Sequence, residues 1–171
     1  LVVLGNHDGY YSDKDVRQNL ERVGYRVLEH ELAVIEKDGQ KLHILGLKDH
    51  TKIRSWRDFS DEARAVLEAG DQTGDVIVLE HSPDILPVIT GDLSISDDLK
   101  LILAGHTHGG QVWFPVLGSL IVPSSYGQKY AFGHIKENNT DMFVTTGIGT
   151  SVLPFRFLIP PEIAVLTINA E

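Results

Sequence analysis

The sequence contains no cysteine among its 171 residues. This absence excludes disulfide bonds, thiolate metal sites and a cysteine nucleophile, so any chemistry must use other side chains. Basic residues are also few, since 15 Lys and Arg stand against 24 Asp and Glu, for a formal net charge of -9. Broad nucleic-acid binding needs a basic face, and we therefore expect no nucleic-acid partner.

Long apolar runs are absent as well. The sequence shows no stretch of about 18 to 20 apolar residues, the length that crosses a bilayer, and no signal peptide. It begins without Met, inside the apolar run of residues 1–4. We therefore interpret the chain as the C-terminal portion of a longer polypeptide, and we expect any membrane anchor or export signal to lie in the missing N-terminal part. The sequence leaves the compartment and the oligomeric state open.

The remaining composition is ordinary for a folded protein, with 42% of residues hydrophobic and 23% charged. The length fits one domain, residues 1–171, with a substantial core. An acidic chain that acts on a phosphate ester needs local positive charge at its site. Bound metal cations could supply that charge.

Two histidines one residue apart, His106 and His108, follow the apolar run of residues 101–104. In an extended segment alternate side chains share a face, so their Cα atoms would lie about 6 to 7 Å apart. Two imidazoles placed in this way can each bind one of two metal ions, which lie about 3.5 to 4 Å apart in two-metal hydrolytic sites. The alternative is a glycine-rich turn whose histidines only hydrogen-bond to the backbone.

The same arrangement, polar groups directly after an apolar run, occurs twice more. Asn6, His7 and Asp8 follow residues 1–4, and His81 follows residues 75–79. Apolar strands separated by helices predict a sheet that is buried on both faces, and in such sheets sites gather beyond the carboxyl ends of the strands. We therefore expect the polar groups at these strand ends to converge.

The periodicity of apolar residues predicts the main elements. Helices are expected at residues 12–23, 61–69 and 83–90, and the connection at 48–60 is expected to be a polar surface loop. Strands are expected at residues 27–28, 32–36, 42–47, 75–79 and 101–104. Strands of a second sheet are expected at residues 112–116, 120–122, 142–146 and 164–168. Two loops rich in apolar residues, 113–117 and 153–158, are expected to pack as core rather than to face a lipid.

Three blocks together resemble the calcineurin-like metallophosphoesterase family. They are Gly5-Asn6-His7-Asp8, the isolated histidine of Glu80-His81-Ser82-Pro83, and Gly105-His106-Thr107-His108, in the order that the family uses. Residues 109–111, 126–127, 147–149 and 160–163 are similar to a bacterial branch of the family. That branch includes membrane-associated phosphodiesterases and a pyrophosphatase that cleaves UDP-diacylglucosamine.

The resemblance implies an α/β (α+β) fold in which two packed β-sheets are flanked by helices, an αββα sandwich that here lacks its N-terminal strands. It implies a metal-dependent phosphoester hydrolase, a phosphodiesterase or pyrophosphatase, with a dinuclear site for two divalent transition metal ions such as Mn, Fe or Zn. In the family pattern Asn6, His81 and His106 hold one ion and His108 serves the other. His7 would act as general acid or stabilise developing charge beside the phosphate, and Asp8 would orient it.

One departure from the family pattern limits this implication. The blocks Asp-x-His and Gly-Asp, which supply further metal ligands in the family, would precede Gly5 and are not in this sequence. The resemblance therefore implies that these residues alone hold at most one metal well and are a weak or inactive catalyst.

The sequence allows two other interpretations. In the first, the chain is a non-catalytic scaffold that uses the metallophosphoesterase fold to bind partners. The second, a carboxylate-pair hydrolase, is disfavoured because the acidic residues fall mostly in helices and connectors. Monoesters, diesters and pyrophosphates all remain open as substrates, and the residues that bind substrate are unknown. The apolar loops are consistent with a lipid-linked pyrophosphate and with peripheral membrane association in a bacterium.

Overall fold

A six-stranded mixed sheet forms the centre of the computed structural model, which describes residues 1–70 and 74–169. The elements, in chain order, are α1 (Asp8–Tyr11), α2 (Asp13–Arg22), β1 (Glu31–Lys37), β2 (Gln40–Gly46), α3 (Trp56–Ala69), β3 (Val76–Leu79), α4 (Leu86–Ile89), β4 (Leu99–Ala104), β5 (Trp113–Phe114), β6 (Gly118–Ser119), β7 (Gly133–Glu137) and β8 (Thr140–Val144). Short 3-10 turns lie at His50–Lys52, Pro83–Ile85, His108–Gly110 and Gly127–Tyr130.

The strand order in the large sheet is β1-β2-β3-β4-β8-β7. The four inner strands run parallel, whereas β1 and β7 pair antiparallel at the two edges. Because side chains alternate along a strand, Val76 and Val78 pack in the larger core with α3 and α4, and Ile77 packs in a smaller cluster on the opposite face. The predicted α/β class is confirmed.

The helix α2 follows the sequence prediction closely, since its N-cap is Ser12, whose Oγ accepts a hydrogen bond from the Asp15 N–H at 3.2 Å. The prediction of a polar loop over residues 48–60 is wrong in its second half. There α3 begins at Trp56, because Ser55 Oγ caps the Asp58 N–H at 3.0 Å and Phe59, 2% exposed, packs into the core. The short helix predicted at residues 83–90 is present as a 3-10 turn followed by α4.

The predicted second sheet differs most from the structure. Residues 142–144 of the strand predicted at 142–146 belong instead to β8 of the large sheet, because Met142 and Val144 are fully buried in the main core. The strand β7 that pairs with β8 was not predicted. Residues 164–168 form no strand within the described chain, and Val165 is 88% exposed there. Among the described residues, the second sheet consists of the two-stranded hairpin of β5 and β6.

The apolar loops at 113–117 and 153–158 do not pack as core, and that expectation is wrong. Phe114 is 38% exposed, Phe155 52% and Leu158 57%. The first loop contains β5 and its turn to β6, and the second loop lies beside it through bridges of Val112 with Phe157 and Leu158. Among the described residues, no helix has both the length and the apolar character needed to cross a membrane.

The cap of α3 gives a direct test of the revised helix boundary. Ser55→Ala should lower the free energy of unfolding by about 1 kcal/mol, because the Asp58 N–H loses its acceptor at the first turn. Ser55→Asp keeps an acceptor and serves as the matched control, with a change of only a few tenths of a kcal/mol expected. Urea unfolding followed by circular dichroism measures both, and equal stability of the two variants would contradict the assigned cap.

Candidate functional site

The site forms where three segments of the chain end side by side. The strand end of β3 is tied to that of β4, since the Glu80 N–H donates to Leu103 O at 3.2 Å and the Gly105 N–H to His81 O at 3.0 Å. Residues 1–4 approach the same region beside residues 26–28, through a single parallel bridge between Val2 and Val27. Polar groups that follow each apolar run are thereby brought together, as the sequence predicts.

Three donor atoms converge at these strand ends. The Nε2 atom of His81 lies 3.0 Å from Asn6 Oδ1 and 3.0 Å from His106 Nδ1. The two imidazole rings meet edge to face, with centroids 4.7 Å apart. Ligands around one tetrahedral ion at metal–ligand distances of about 2.0 to 2.1 Å stand about 3.3 Å from each other. The two distances from His81 Nε2 are thus close to the spacing of ligands around one ion.

Gly5 makes this close approach sterically feasible. A Cβ atom added at Gly5 would lie 2.7 Å from the ring of His81, which is shorter than any ordinary contact. The Gly5 N–H in turn donates to Asp8 Oδ2 at 2.7 Å, and this bond closes the loop that carries Asn6. A glycine at this position therefore lets the His81 ring pack directly against the backbone beside Asn6.

The histidines of the site are held in their neutral form. Burial, followed by the charge that His106 would carry, lowers the pKa of His81 to about 4. Burial also lowers the pKa of His106, and burial together with the Arg156 guanidinium lowers that of His108. Neutral imidazole is the form that coordinates metal ions, so these histidines need release no proton at neutral pH in order to bind one.

The expectation of an extended segment at His106 and His108 is wrong. Both residues are left-handed, with φ of 67° and 52°, and residues 109–111 continue in that region. The turn is held in place by Thr107, which is fully buried and whose Oγ donates to Ala131 O at 2.6 Å. Backbone strain of this kind is characteristic of functional turns.

His7 and Asp8 directly follow Asn6 in the chain. His7 is exposed at the start of α1, and its ring centroid is 5.0 Å from that of Tyr10. The carboxylate of Asp8 is engaged by the Gly5 N–H. The catalytic roles expected for His7 and Asp8 stay predictions.

The donor set fits one transition metal ion. Two imidazole nitrogens and one amide oxygen suit a borderline ion such as Zn²⁺ or Mn²⁺. Within residues 1–70 and 74–169 no three or more His, Asp or Glu side chains group closely enough to hold an ion, and the third donor of this set is the amide oxygen of Asn6. The described residues therefore offer one well-formed set of ligands rather than two.

A buried acidic cluster behind these donors was not predicted. Glu80 is 1% exposed and accepts hydrogen bonds from the N–H groups of Ser82 and, at 3.2 Å, of His50. Burial raises the pKa of Glu80 to about 7. Asp49 is 2% exposed, and its Oδ2 atom is buried without a hydrogen-bond partner. These groups fasten the loop after β2 to the segment that carries His81.

The burial of Glu80 could have been predicted from the sequence, because Glu80 is a charged residue at the end of the apolar run of β3, directly before His81. Asp49 and His50 gave none, since their segment reads as an ordinary polar loop.

A second set of contacts missed from the sequence holds the loop beyond His108. Arg156 donates to the backbone carbonyls of His108 at 3.4 Å, Thr146 at 2.7 Å and Gly147 at 3.1 Å. The Gln111 amide donates to the carbonyls of two loop residues, Leu153 at 2.9 Å and Phe155 at 3.1 Å. This loop is consequently fixed against the turn that carries His108.

Comparison with known proteins gives several relatives. The chain is 31% identical to an uncharacterized metallophosphoesterase of Bacillus subtilis, YkuE, over 99% of this chain and 56% of that protein. It is 31% identical to one of Aquifex aeolicus, over 100% of this chain and 61% of the relative, and 26% identical to the phosphodiesterase YaeI of Escherichia coli, over 97% and 57%. The chain thus spans about half to three fifths of the length of these relatives.

No family model matches the chain. Among solved structures, NAD nucleotidase of Haemophilus influenzae is a distant likeness, with 18% identity and a TM-score of 0.49 over 85% of this chain and 29% of that one. The likeness to these relatives extends over 97% to 100% of this chain.

The contact between Gly5 and His81 yields a test of the donor cluster. Gly5→Ala should weaken Zn²⁺ binding about 10- to 100-fold, because the new methyl group displaces the ring of His81 from its position. Gly149→Ala is the matched control, since a Cβ there meets nothing within 4 Å, and its affinity should be unchanged. Calorimetric titration of the purified variants measures both. Unaltered affinity in Gly5→Ala would show that the cluster is not the binding site.

Proposed function

We propose that the chain is the C-terminal portion of a single metallophosphoesterase domain, and that the protein hydrolyses phosphoester bonds with bound divalent metal ions. The observation that carries the proposal is the convergence of Asn6, His81 and His106 at 3.0 Å spacings, with neutral imidazoles. The names of the relatives, metallophosphoesterase and phosphodiesterase, support the same class of reaction.

Asn6, His81 and His106 would hold one ion, and His108 would contribute to a second one. A bound divalent ion polarises a phosphoryl oxygen and neutralises the charge that develops on it during hydrolysis. A second ion requires ligands besides His108, and the described residues do not group any there. We propose two ions in the intact protein, of Mn, Fe or Zn, and at most one well held by the residues described here.

The residues around the donors would handle the proton and the charge of the substrate. His7, which is exposed and follows Asn6 directly in the chain, would protonate the leaving oxygen, a role that an imidazole can fill. The hydrogen bond from the Gly5 N–H to Asp8 Oδ2 closes the loop that contains His7. Asp8 would position His7 through this loop. Arg156 brings a fixed positive charge close to His108, which suits an anionic phosphate in a chain of net charge -9.

The proposed substrates are phosphate esters, with monoesters, diesters and pyrophosphates all compatible with this chemistry. A lipid-linked pyrophosphate and peripheral association with a membrane are the finer part of the proposal, supported by the exposed apolar residues of the two loops.

Metal stoichiometry and turnover test the proposal together. The chain of residues 1–171 should bind one Zn²⁺ tightly and should hydrolyse bis(4-nitrophenyl) phosphate weakly or not at all with added Mn²⁺. In the intact protein hydrolysis should be robust, and His81→Ala should reduce it by about a hundredfold or more, since it removes a metal ligand. His134→Ala is the control, because His134 is exposed on β7 and bonded to Asp141 at 2.6 Å.

Two results would overturn this assignment. An intact protein that binds no transition metal and hydrolyses no phosphoester would indicate a non-catalytic scaffold for partner binding. Rapid turnover by residues 1–171 alone would show that the ligands proposed to be missing are not needed.

A further inference from the structure

A cavity of about 360 Å³ opens beside the C-terminal end of β8. Two aromatic side chains line it, Trp113 of β5 and Phe132, together with Thr146 and the acidic residue Glu162. The rest of its wall is apolar and consists of Leu158, Ile159 and Pro160. The volume falls within the range of small-molecule sites.

Hydrogen bonds fix Glu162 in the wall of this cavity. Its Oε2 atom accepts from the Thr145 hydroxyl at 2.8 Å and from the Thr146 N–H at 3.2 Å, and its own N–H donates to Gly147 O at 2.9 Å. The Thr146 hydroxyl also donates to Pro160 O at 3.1 Å. These bonds fasten the C-terminal segment to the end of β8, so the cavity is a built feature of the fold.

The second carboxylate oxygen of Glu162 is left without a partner. Within residues 1–70 and 74–169 no hydrogen bond or ion pair reaches its Oε1 atom. Arg156 lies close by, but its guanidinium donates to the carbonyls of Thr146 and Gly147, and among the described residues no Lys or Arg side chain lines the cavity. The wall therefore combines a negative charge that has no cationic partner with two aromatic rings.

This combination favours an organic cation over other ligands. An aromatic face attracts a cation through its quadrupole, and aromatic cages are the sites that recognise quaternary ammonium groups. The carboxylate would repel a phosphate or another anion. A hard metal ion requires several oxygen ligands, whereas the cavity offers one carboxylate. A neutral hydrocarbon would cover the charged oxygen without giving it a partner, which costs binding affinity.

We propose that this cavity binds a small quaternary ammonium compound, with its methyl groups against Trp113 and Phe132 and its positive charge close to Glu162. The ligand differs in chemistry from the phosphate esters of the proposed function. Its binding requires neither a metal ion nor hydrolysis, so the cation site does not depend on whether the protein is an enzyme.

Choline and 3,3-dimethyl-1-butanol test the role of charge, because they have nearly the same shape and only choline is a cation. Calorimetric titration of the intact protein without added metal should give an affinity for choline about tenfold above that for the neutral alcohol, as expected for a cation that is partly desolvated against aromatic rings. Equal affinity for the two compounds, or binding of neither at millimolar concentration, would overturn the proposal.

Variants of the wall locate the effect. Glu162→Gln removes the charge but keeps an acceptor for Thr145 and Thr146, so it should lower the affinity for choline about tenfold and leave that for the neutral alcohol unchanged. Trp113→Leu keeps an apolar side chain without the aromatic face, and it should lower the ratio of the two affinities. Glu68→Gln, at an exposed residue of α3 outside the cavity, is the matched control and should bind choline as the wild type does.

Urea midpoints close to the wild-type value would show that these variants fold, and Trp113→Leu carries the test alone if Glu162→Gln does not fold. Unchanged choline affinity in a folded Glu162→Gln variant would overturn the assignment of the cavity. Sedimentation of the protein with phosphatidylcholine vesicles, abolished by Glu162→Gln, would place the quaternary ammonium on a lipid headgroup and overturn the assignment to a free small molecule.

Hydrolysis of bis(4-nitrophenyl) phosphate by the same intact protein with added Mn²⁺ separates this proposal from the proposed function. Absence of hydrolysis together with preferential binding of choline would reject the enzyme and retain the cation site. Hydrolysis without any preference for choline would retain the enzyme and reject the cation site.

Discussion

The site depends on one steric constraint, the packing of the His81 ring against the backbone of Gly5. This contact lets Asn6 Oδ1 and His106 Nδ1 both come within 3.0 Å of His81 Nε2, although the three residues come from distant parts of the chain. The parallel order of β3 and β4 brings two of the donors to one edge of the sheet, and the loop closed by Asp8 brings the third. A Cβ atom at position 5 would displace the His81 ring from this place.

Much of this arrangement follows from local pattern in the sequence. Apolar runs that end in polar groups predict both the parallel strands and the edge at which Asn6, His81 and His106 meet. The cap at Ser12 likewise predicts the start of α2. These features succeed because strand burial and helix capping are decided by residues close together in the chain.

The predictions that were wrong concern features that depend on contacts between residues distant in the sequence. The strand at 142–146 was assigned to the wrong sheet, since its pairing with β4 depends on which apolar surface remains uncovered. The left-handed turn at His106 and His108 depends on Thr107 reaching Ala131, and the burial of Asp49 and Glu80 depends on two loops meeting. Such long-range contacts cannot be predicted from local sequence patterns. From the sequence alone, a polar residue of a buried cluster therefore cannot be distinguished from one on a solvated loop.

The central claim is that Asn6, His81 and His106 together bind one divalent metal ion. Anomalous diffraction at the zinc absorption edge, from crystals of the chain grown with Zn²⁺, tests it most directly. The account predicts one strong anomalous peak within about 2.0 to 2.2 Å of Asn6 Oδ1, His81 Nε2 and His106 Nδ1. A zinc ion bound elsewhere, with these three side chains still hydrogen-bonded to one another, would contradict it.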